Sequence, residues 1–533
     1  MVFILHCKYK IKNNEKGSKV MKTRKIIAAL LAVAMLVPTA GCKKAEEVGS
    51  DGTLKITWWS RLWPHISQTA QNFGDVQFYQ ELEKRCNVDI EFLHPATGQE
   101  SEKFNVLCAS GEYPDLIEWD FTTYKGGPAK AVEDGVIIYL DEYLQYAPNY
   151  KKYLDEHPEV AKQVMTDDGH YYTFAWFRGD DSLMCWKGPQ IRKDLLDKAG
   201  LELPETLAEW DNALRTFKDM GVEYPLSAVG NTFADTFSGI FGVSESFYQE
   251  DGVVKYGVIE PGYKDYINQL RIWYQDGILD QDFYAQDDKT YRAKITTGKV
   301  GAYVGSAGGD MGTFISALTN VDPAIKLAGT KYPVMNEGDV PRFGQKDFAY
   351  YPATSISISS QCENIEEVVK FLDYGYSEEG HMFYNFGTEG VSYNMVDGFP
   401  TYTDLVLKNP DGLAPQFALS QYTAVAYGGP FIQDARYYGQ YLPYEEQKAA
   451  VNNWADHDDS TRIPYVSYTL DENSERSKIL TPIASYVKEN VLKFITGQES
   501  MDNWDAFVAQ VKESGIDEVI SITQTALDRY NNR

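Results

Sequence analysis

The sequence predicts an α/β protein with a helical C-terminus, and three observations lead to that prediction. Residues 54–58 alternate apolar and polar side chains as strands do, a helical stretch covers 78–84, and residues 88–92 alternate again. A strand, a helix and a strand in this order predict a βαβ unit within a parallel sheet. Strand and helix patterns go on alternating along the chain, and the last 50 residues have helical periodicity.

Later elements follow from equally local signals. A short apolar strand is expected at 116–117, after a turn, and another at 355–358, just before a helix that begins near Asn364. In the C-terminal region, apolar spacing predicts helices over 483–494, 503–512 and 516–530.

One helix has a clear start and stop. Thr206 and Glu209 have the spacing of a capping box, apolar residues then recur at helical intervals, and Gly221 can end the helix. Trp210 lies on the apolar face of this helix, and Trp273 lies on or beside that of another. We therefore expect both tryptophans in the core.

Residues 21–41 have the features of a secretory signal peptide. Lys22, Arg24 and Lys25 precede an apolar run of 12 residues, 26–37, which is too short to span a bilayer as a helix. Because Met21 is a natural start for such a peptide, residues 1–20 are interpreted as a non-native upstream extension. The alternative is a long native n-region.

Small residues lead directly into Cys42 and resemble the lipobox of bacterial lipoproteins, in which the cysteine carries lipid. Thr39 stands where such motifs usually have Leu. The alternative is an ordinary signal peptide cut near Ala40. We expect Cys42 to be lipidated and residues 42–52 to form a short polar tether that holds the protein on the outer face of the cytoplasmic membrane.

Charge and length limit the possible functions. Of 50 basic and 77 acidic residues, eight basic and one acidic precede Cys42, so residues 42–533 carry 42 basic and 76 acidic residues. Such an acidic chain repels nucleic acid and anionic lipid, and neither is expected as a ligand. Because single cores stop growing at about 250–300 residues, a chain of this length is expected to form two or more lobes.

The cysteines give no sign of a metal or redox site. Four of them lie in the body of the chain, without CxxC spacing, and we expect mostly buried thiols and no cofactor. They are Cys86, Cys108, Cys185 and Cys362.

Several short motifs, in this order and spacing, resemble the family 1 extracellular solute-binding proteins of ABC importers, from about residue 54 to residue 530. They are SGEYPDLI at 110–117, GVIIYLDE at 135–142, DGHYY at 168–172, IRKDLLDKAGL at 191–201 with PET at 204–206, GILD at 277–280, SEEG at 377–380, GTEG at 387–390 and DRY at 528–530. These motifs resemble the larger lipoprotein branch of Gram-positive bacteria, which is similar to alginate- and other oligosaccharide-binding proteins.

The resemblance implies a two-lobe periplasmic-binding-protein-like fold of type II, with interleaved lobes joined by a hinge. Lobe one would comprise 53–174 and 333–395, and lobe two 175–332 and 396–533. It also implies an oligosaccharide ligand, ABC permease subunits as partners, and a monomer anchored to the membrane only through Cys42.

One departure from the family concerns calcium. Relatives often insert a loop resembling an EF-hand after the helix that follows PET, whereas here residues 217–226 connect directly. Calcium takes six or more oxygen ligands, and Asp219 and Glu223 cannot supply them. No metal site is therefore expected at this position.

Candidate ligand-binding residues are those that follow predicted strands, because ligands of such sheets lie beyond the carboxyl ends of the strands. Trp59, Arg61 and Trp63 follow the first strand, and Trp119 and Asp120 follow the strand at 116–117. Trp119 resembles a sugar-contacting position of relatives. Each of these tryptophans could instead pack in the core.

Further candidates lie later in the chain. Trp176 and Arg178 follow the first expected hinge crossing, near residues 172–175, and Ser306 lies in an expected loop, 301–306, that resembles one lining sugar sites in relatives. Tyr351 precedes a strand, and Trp454 lies in an acidic stretch expected to be a loop.

The chemistry of these residue types suits carbohydrate. Aromatic rings cover the apolar faces of pyranoses, while Asp and Arg bind hydroxyl groups; Arg61 and Arg178 could also pair with uronate carboxylates. Two alternatives are kept open. One is a peptide-binding lipoprotein of the same fold. The other is a secreted glycoside hydrolase, although GxSxG and HExxH are absent and an enzyme is not expected.

Overall fold

The computed structural model describes residues 52–533 except 68, 231, 232, 234 and 414. The predictions for the upstream extension, the signal peptide, Cys42 and nearly all of the tether therefore lie outside the described residues. Within the described part of the chain, no helix has the length and apolar character needed to cross a membrane.

The strands build a six-stranded sheet, a four-stranded sheet and two hairpins. In chain order they are β1 (Leu54–Trp59), β2 (Val88–Leu93), β3 (Leu116–Glu118), β4 (Phe174–Arg178), β5 (Lys187–Arg192), β6 (Tyr224–Leu226), β7 (Phe247–Glu250), β8 (Val253–Tyr256), β9 (Val300–Ser306), β10 (Leu327–Gly329), β11 (Tyr350–Ile358), β12 (Tyr393–Val396), β13 (Phe399–Tyr402) and β14 (Ile432–Gln433). The six-stranded sheet has the order β14-β4-β11-β3-β1-β2, and the four-stranded sheet has the order β10-β5-β9-β6.

Helices surround both sheets. The α-helices are Pro64–Ser67, Gln77–Cys86, Glu100–Ser110, Gly127–Glu133, Pro148–Glu156, Pro158–Ala161, Lys193–Ala199, Leu207–Asp219, Pro261–Gln275, Asp288–Thr296, Thr313–Val321, Ile365–Asp373, Glu378–Phe386, Asp404–Leu407, Pro415–Tyr422, Ala435–Tyr441, Glu445–Ala455, Leu470–Thr496, Trp504–Glu513 and Ile516–Asn531. A π-helix, Ala307–Gly312, follows β9.

The predicted βαβ unit is present at the start of the first sheet. β1 and β2 pair in parallel, from Leu54 opposite Val88 to Trp59 opposite Leu93, with the helix Gln77–Cys86 between them in sequence. Buried and exposed residues alternate strictly along β2, as its sequence predicts. The α/β prediction is therefore confirmed.

The expectation of a parallel sheet is right only for part of it, because β11 pairs antiparallel with both β3 and β4. The path of the chain explains this arrangement. β4 ends at one edge of the six-stranded sheet, and the chain then builds the four-stranded sheet. The returning chain enters the six-stranded sheet at the end where β4 finishes, so β11 must run in the direction opposite to β4.

Predicted helix termini are confirmed where a capping motif defines them. The helix Leu207–Asp219 begins with a complete capping box from Thr206 and Glu209, and its face buries Trp210. Trp273 is also in the core, as predicted. The first C-terminal helix is longer than expected because Thr469 and Glu472 form a second capping box, so it begins at Leu470 and continues through Pro482.

Two other local predictions were wrong. Residues 301–306, expected as a loop, belong to β9 at the centre of the four-stranded sheet, where a Cβ at Gly301 would meet the ring of Phe217. Trp454 lies in the helix Glu445–Ala455, where it shares the buried face with Ala450 and Val451. The acidic residues that suggested a loop begin only after this helix.

The core is divided between the two sheets. One apolar cluster joins residues from β1–β4 and β11 with helices up to Tyr437, and a second joins β6 and β9 with the C-terminal helices. β4 and the hairpin β12–β13 contribute to the first cluster through Phe177, Tyr393 and Tyr402. The lobe boundaries at 175, 333 and 396 stay predictions.

The body cysteines form no disulfide within the described residues. Cys185 and Cys362 are buried, whereas Cys86 and Cys108 are half-buried. Burial raises the pKa of Cys86 to about 12 and that of Cys108 to about 11, so both are protonated thiols at neutral pH.

Candidate functional site

Most of the predicted site residues lie at one edge of the six-stranded sheet. β1, β3 and β4 run in the same direction, and β11 begins where they end. The end of the sheet at which β1, β3 and β4 finish and β11 begins is here called the sheet edge. It brings together residues that are far apart in sequence. They are Trp59, Arg61, Trp63, Trp119, Asp120, Trp176, Arg178 and Tyr351.

Two of these tryptophans pack largely against protein. Trp59 is buried, and its ring meets that of Trp119 edge-on at a centroid distance of 5.8 Å. Trp119 is half-buried and stacks on Phe104, with centroids 4.3 Å apart and planes 14° apart. Phe104 thus covers one face of Trp119, and the ligand role of this residue stays a prediction.

Glu118 holds the next cluster together and was not singled out from the sequence. Only 5% of it is exposed, and it accepts hydrogen bonds from Ser60 Oγ at 2.9 Å and Trp63 Nε1 at 3.1 Å. Burial raises its pKa to about 7, although the positive charge of Arg61 acts in the opposite direction. Its position as the last residue of β3, between Ile117 and Trp119, was the available signal.

Arg61 links β1 to β11. Its Nη2 donates to the carbonyl oxygen of Ala353 at 2.7 Å, and its guanidinium carbon lies 3.9 Å from the centre of the Trp63 ring. Asp120 accepts a hydrogen bond from the backbone N–H of Thr122 at 3.0 Å, and burial raises the pKa of this carboxyl group. The two residues therefore have roles in the fold as well as places at the sheet edge.

Trp176, Arg178 and Tyr351 form a second cluster. Tyr351 lies opposite Trp176 in the ladder, and their ring centroids are 5.6 Å apart. The guanidinium of Arg178 lies 4.4 Å from the centre of the Trp176 ring. Its two terminal nitrogens donate to Gln433 Oε1 at 2.9 Å and Asp347 Oδ2 at 2.7 Å.

Trp186 was missed in the sequence and connects this cluster to the other sheet. Its side chain is 39% exposed, and its Nε1 donates to Asp347 at 3.1 Å. Its carbonyl oxygen accepts from the N–H of Ala307, directly after β9, at 2.8 Å. The signal was a tryptophan in the short connection between β4 and β5, outside any apolar periodicity.

Ser306 and Trp454 belong to the four-stranded sheet. Ser306 ends β9 and caps the π-helix, accepting from the N–H of Asp310 and donating to its carboxylate at 2.9 Å. Through Ala307 it lies next to Trp186 in the structure. Trp454 is 0% exposed and its Nε1 lies 3.3 Å from the carbonyl oxygen of Pro189. Because protein covers its whole surface, this geometry gives no support to a ligand role.

A cavity of about 450 Å³ lies beside the π-helix and borders Gly308, Gly312, Tyr441 and Tyr444. Its other side is formed by Pro415 and Gln416, at the start of a helix that contacts the segment after β1. Another cavity, of about 460 Å³, lies between the helices Pro261–Gln275 and Leu470–Thr496, away from the sheet edge.

No described group of three or more histidine, cysteine, aspartate or glutamate side chains is arranged to hold a metal ion. The helix Leu207–Asp219 is followed after four residues by β6. The absence of calcium at this place stays a prediction.

Comparisons with known proteins agree with this architecture. The family described as "Bacterial extracellular solute-binding protein" matches residues 66–382. The fructooligosaccharide ABC transporter substrate-binding protein FusA of Streptococcus pneumoniae is 26% identical over 495 residues, which cover 85% of this chain and 86% of the relative. Lipoprotein LipO of Bacillus subtilis is 24% identical over 532 residues, 94% of this chain and 97% of the relative.

The fold is also similar to that of a solved structure of the alginate-binding protein AlgQ2. The TM-score is 0.70 with 22% sequence identity, covering 89% of this chain and 97% of that one. At this identity the likeness concerns the fold alone, and it confirms the predicted two-lobe α/β architecture. Since the family match covers more than half of the sequence, this chain belongs to the bacterial extracellular solute-binding proteins.

Proposed function

We propose that this protein captures an oligosaccharide at the sheet edge, between its two lobes, and delivers it to an ABC importer. The observation that carries the proposal is the meeting of exposed and half-buried aromatic rings with hydrogen-bonding charged groups at the ends of β1, β3 and β4. Rings of this kind cover the apolar faces of sugars, and the polar groups bind their hydroxyls.

Trp186 is the strongest stacking candidate because much of its ring is exposed while its Nε1 is fixed on Asp347. Trp119 and Trp63, both half-buried, are further candidates, and Ser306 would contribute from the second lobe. Closure of the lobes about the hinge would desolvate these contacts together, which is how modest contacts add up to useful affinity.

The relatives support a carbohydrate ligand. FusA carries fructooligosaccharide in its name and has been solved in complex with kestose, and AlgQ2 is named for alginate. A peptide-binding protein of the same fold is the second candidate, whereas a glycoside hydrolase finds no support in the family match. We also propose, from residues 21–42 and the likeness to LipO, that Cys42 carries a lipid and tethers a monomer outside the cell.

Titration calorimetry of the mature protein tests the proposal. A panel of oligosaccharides should include at least one ligand that binds in a 1:1 ratio with a Kd of about 1 μM or lower, and a mixed peptide pool should give no heat of binding. Saturable binding of peptides, with no response to any glycan, would contradict it.

A further inference from the structure

We propose that the ligand is a neutral oligosaccharide and that glycans bearing uronate carboxylates are excluded. This inference rests on the function proposed above. It comes from the partners of the cationic side chains near the sheet edge, because a uronate needs a positively charged group that is not already neutralised.

Arg178 is the clearest case. Both terminal nitrogens of its guanidinium are used, one on Asp347 and one on Gln433, and the side chains of Arg178 and Asp347 are only 12% and 13% exposed. Trp186 Nε1 fixes the same oxygen of Asp347. A uronate placed next to Arg178 would therefore lie against a carboxylate that the protein holds in place, and like charges brought together cost several kcal/mol.

Arg61 has acidic neighbours as well. Its charge acts on both Glu118 and Asp120, while one terminal nitrogen is bound to the carbonyl oxygen of Ala353. Its guanidinium lies over Trp63, which itself donates to Glu118. Two carboxyl groups therefore lie close enough to act on the charge of this one arginine.

The cations farther from these two arginines follow the same pattern. Lys346 pairs with Asp459 at 2.9 Å, and Arg462 binds Asp459 at 2.6 Å together with the carbonyl oxygens of Lys346 and Asp347. At the start of β5, burial lowers the pKa of Lys187, while the charges of Asp310 and Asp235 act in the opposite direction. Lys346 and Arg462 are accordingly satisfied by acceptors of the protein.

Neutral sugars meet a different set of groups. Hydroxyls bring no net charge and are not repelled by Asp347, and Trp186 offers an exposed ring face. The acidic character of the whole chain, with a formal charge of −27, also opposes the approach of polyanions. Both effects favour neutral glycans over uronates.

The test compares two sets of oligosaccharides of equal length by titration calorimetry. One set is neutral and includes kestose and nystose, and the other consists of oligogalacturonates and alginate oligomers. We expect a neutral ligand to bind at least about 100-fold more tightly than any uronate, the scale of a several kcal/mol penalty. Its Kd should hardly change between low and high salt, because no net charge is brought together.

A variant identifies the cause of the exclusion. Asp347→Asn leaves Arg178 without its anion, so uronate affinity should rise at least about tenfold. The matched control is Asp276→Asn, which also removes an aspartate bound to an arginine, Arg215 at 2.8 Å, but on the exposed surface. The control should change the affinity for neither set.

The outcomes separate this inference from the proposed function. Uronates that bind wild type as tightly as neutral glycans, with salt-sensitive affinity, would overturn the inference and leave oligosaccharide capture standing. If uronates are excluded and Asp347→Asn does not restore their binding, the role given to the Arg178–Asp347 pair is overturned. If Asp347→Asn does not fold, the salt dependence and ligand ranking of wild type still decide. Binding of peptides alone would remove the proposed function, and the inference with it.

Discussion

At the scale of single residues, two tryptophans differ in their exposure to solvent. Trp186 is substantially exposed at the sheet edge, whereas Trp454 is wholly buried and would collide with any side chain at Gly188. Trp186→Ala should therefore lower ligand affinity by about 1–3 kcal/mol, the scale of burying a large side chain, with little change in stability.

Trp454→Ala is the matched control. It should lower the free energy of unfolding by about 3–5 kcal/mol, as large-to-small core substitutions do. Calorimetric titration with the best glycan and urea unfolding measure the two effects. A Trp186→Ala protein that binds normally would remove this residue from the site.

Glu118 predicts a pH dependence of stability. Burial raises its pKa to about 7 from the ordinary 4.5, so the folded protein holds a proton that the unfolded chain has lost between these pH values. Its contribution to stability is therefore fully present below pH 4.5 and is lost as pH rises to about 7. The Glu118→Gln variant should lack this loss. Its free energy of unfolding should therefore rise relative to that of wild type as pH rises, by about 1.4 kcal/mol for each unit of pKa shift.

Urea unfolding of both proteins over a pH series measures this difference. Glu245, whose pKa burial raises to about 8, has a similar effect in both proteins and cancels in the comparison. Parallel stability curves for wild type and Glu118→Gln would contradict the prediction.

At the scale of elements, the connection after the helix Leu207–Asp219 bears on calcium. Only residues 220–223 separate this helix from β6, and Glu223 is paired with Lys299 at 2.9 Å. Removing calcium with a chelator should leave the melting temperature and the glycan affinity unchanged. Differential scanning calorimetry with and without chelator measures this, and a large downward shift that added calcium reverses would reveal a site elsewhere.

At the scale of the whole molecule, the C-terminal residues join the first and second apolar clusters. The last helix, Ile516–Asn531, packs in the second cluster, and Asp167 follows a segment of the first. Asp167 accepts from Arg533 Nη2 at 2.7 Å and Arg529 Nε at 3.1 Å, and the side chain of Arg533 is 1% exposed. Asp167, directly before the motif DGHYY, thus forms an ion pair with Arg529 of the motif DRY and with Arg533.

Arg533→Ala should lower the free energy of unfolding by about 1–3 kcal/mol, because it leaves a charged partner with fewer hydrogen bonds. Lys264→Ala, which removes an exposed ion pair with Asp505, is the control and should cost at most about 1 kcal/mol. Denaturant unfolding measures both variants. Equal effects would show that the C-terminal contact adds nothing beyond a surface ion pair.

The proposed lipid anchor is also a property of the whole molecule. Cys42→Ala should move the protein from the membrane fraction into the medium, because the attachment site of the lipid is lost. Cell fractionation and the mass of the N-terminal peptide measure this. Membrane association that survives the substitution, with no lipid mass on the wild-type peptide, would contradict anchoring.

Elements with local causes could be predicted from the sequence. The alternation of β2, the capping box at Thr206 and the apolar face around Trp210 each depend on residues within a few positions of one another. The errors had two causes, one in distant residues and one in a local motif. β9 is a strand because both of its neighbours pair with it, and the helix at Leu470 begins with a cap that lay outside the apolar pattern.

The candidate site divides in the same way. From the sequence alone, strand ends identified Trp59, Arg61, Trp119 and Asp120, and the family motifs indicated a solute-binding protein with two lobes. Which rings are exposed, and which acidic group pairs with Arg178, depended on the tertiary structure. Asp347 and Trp186 lie 169 and eight positions from Arg178, and no periodicity or spacing joins them. The tertiary structure decides this contact because β11 runs antiparallel to β4 and begins where β4 ends. Asp347, just before β11 in sequence, therefore lies beside Arg178 at the end of β4.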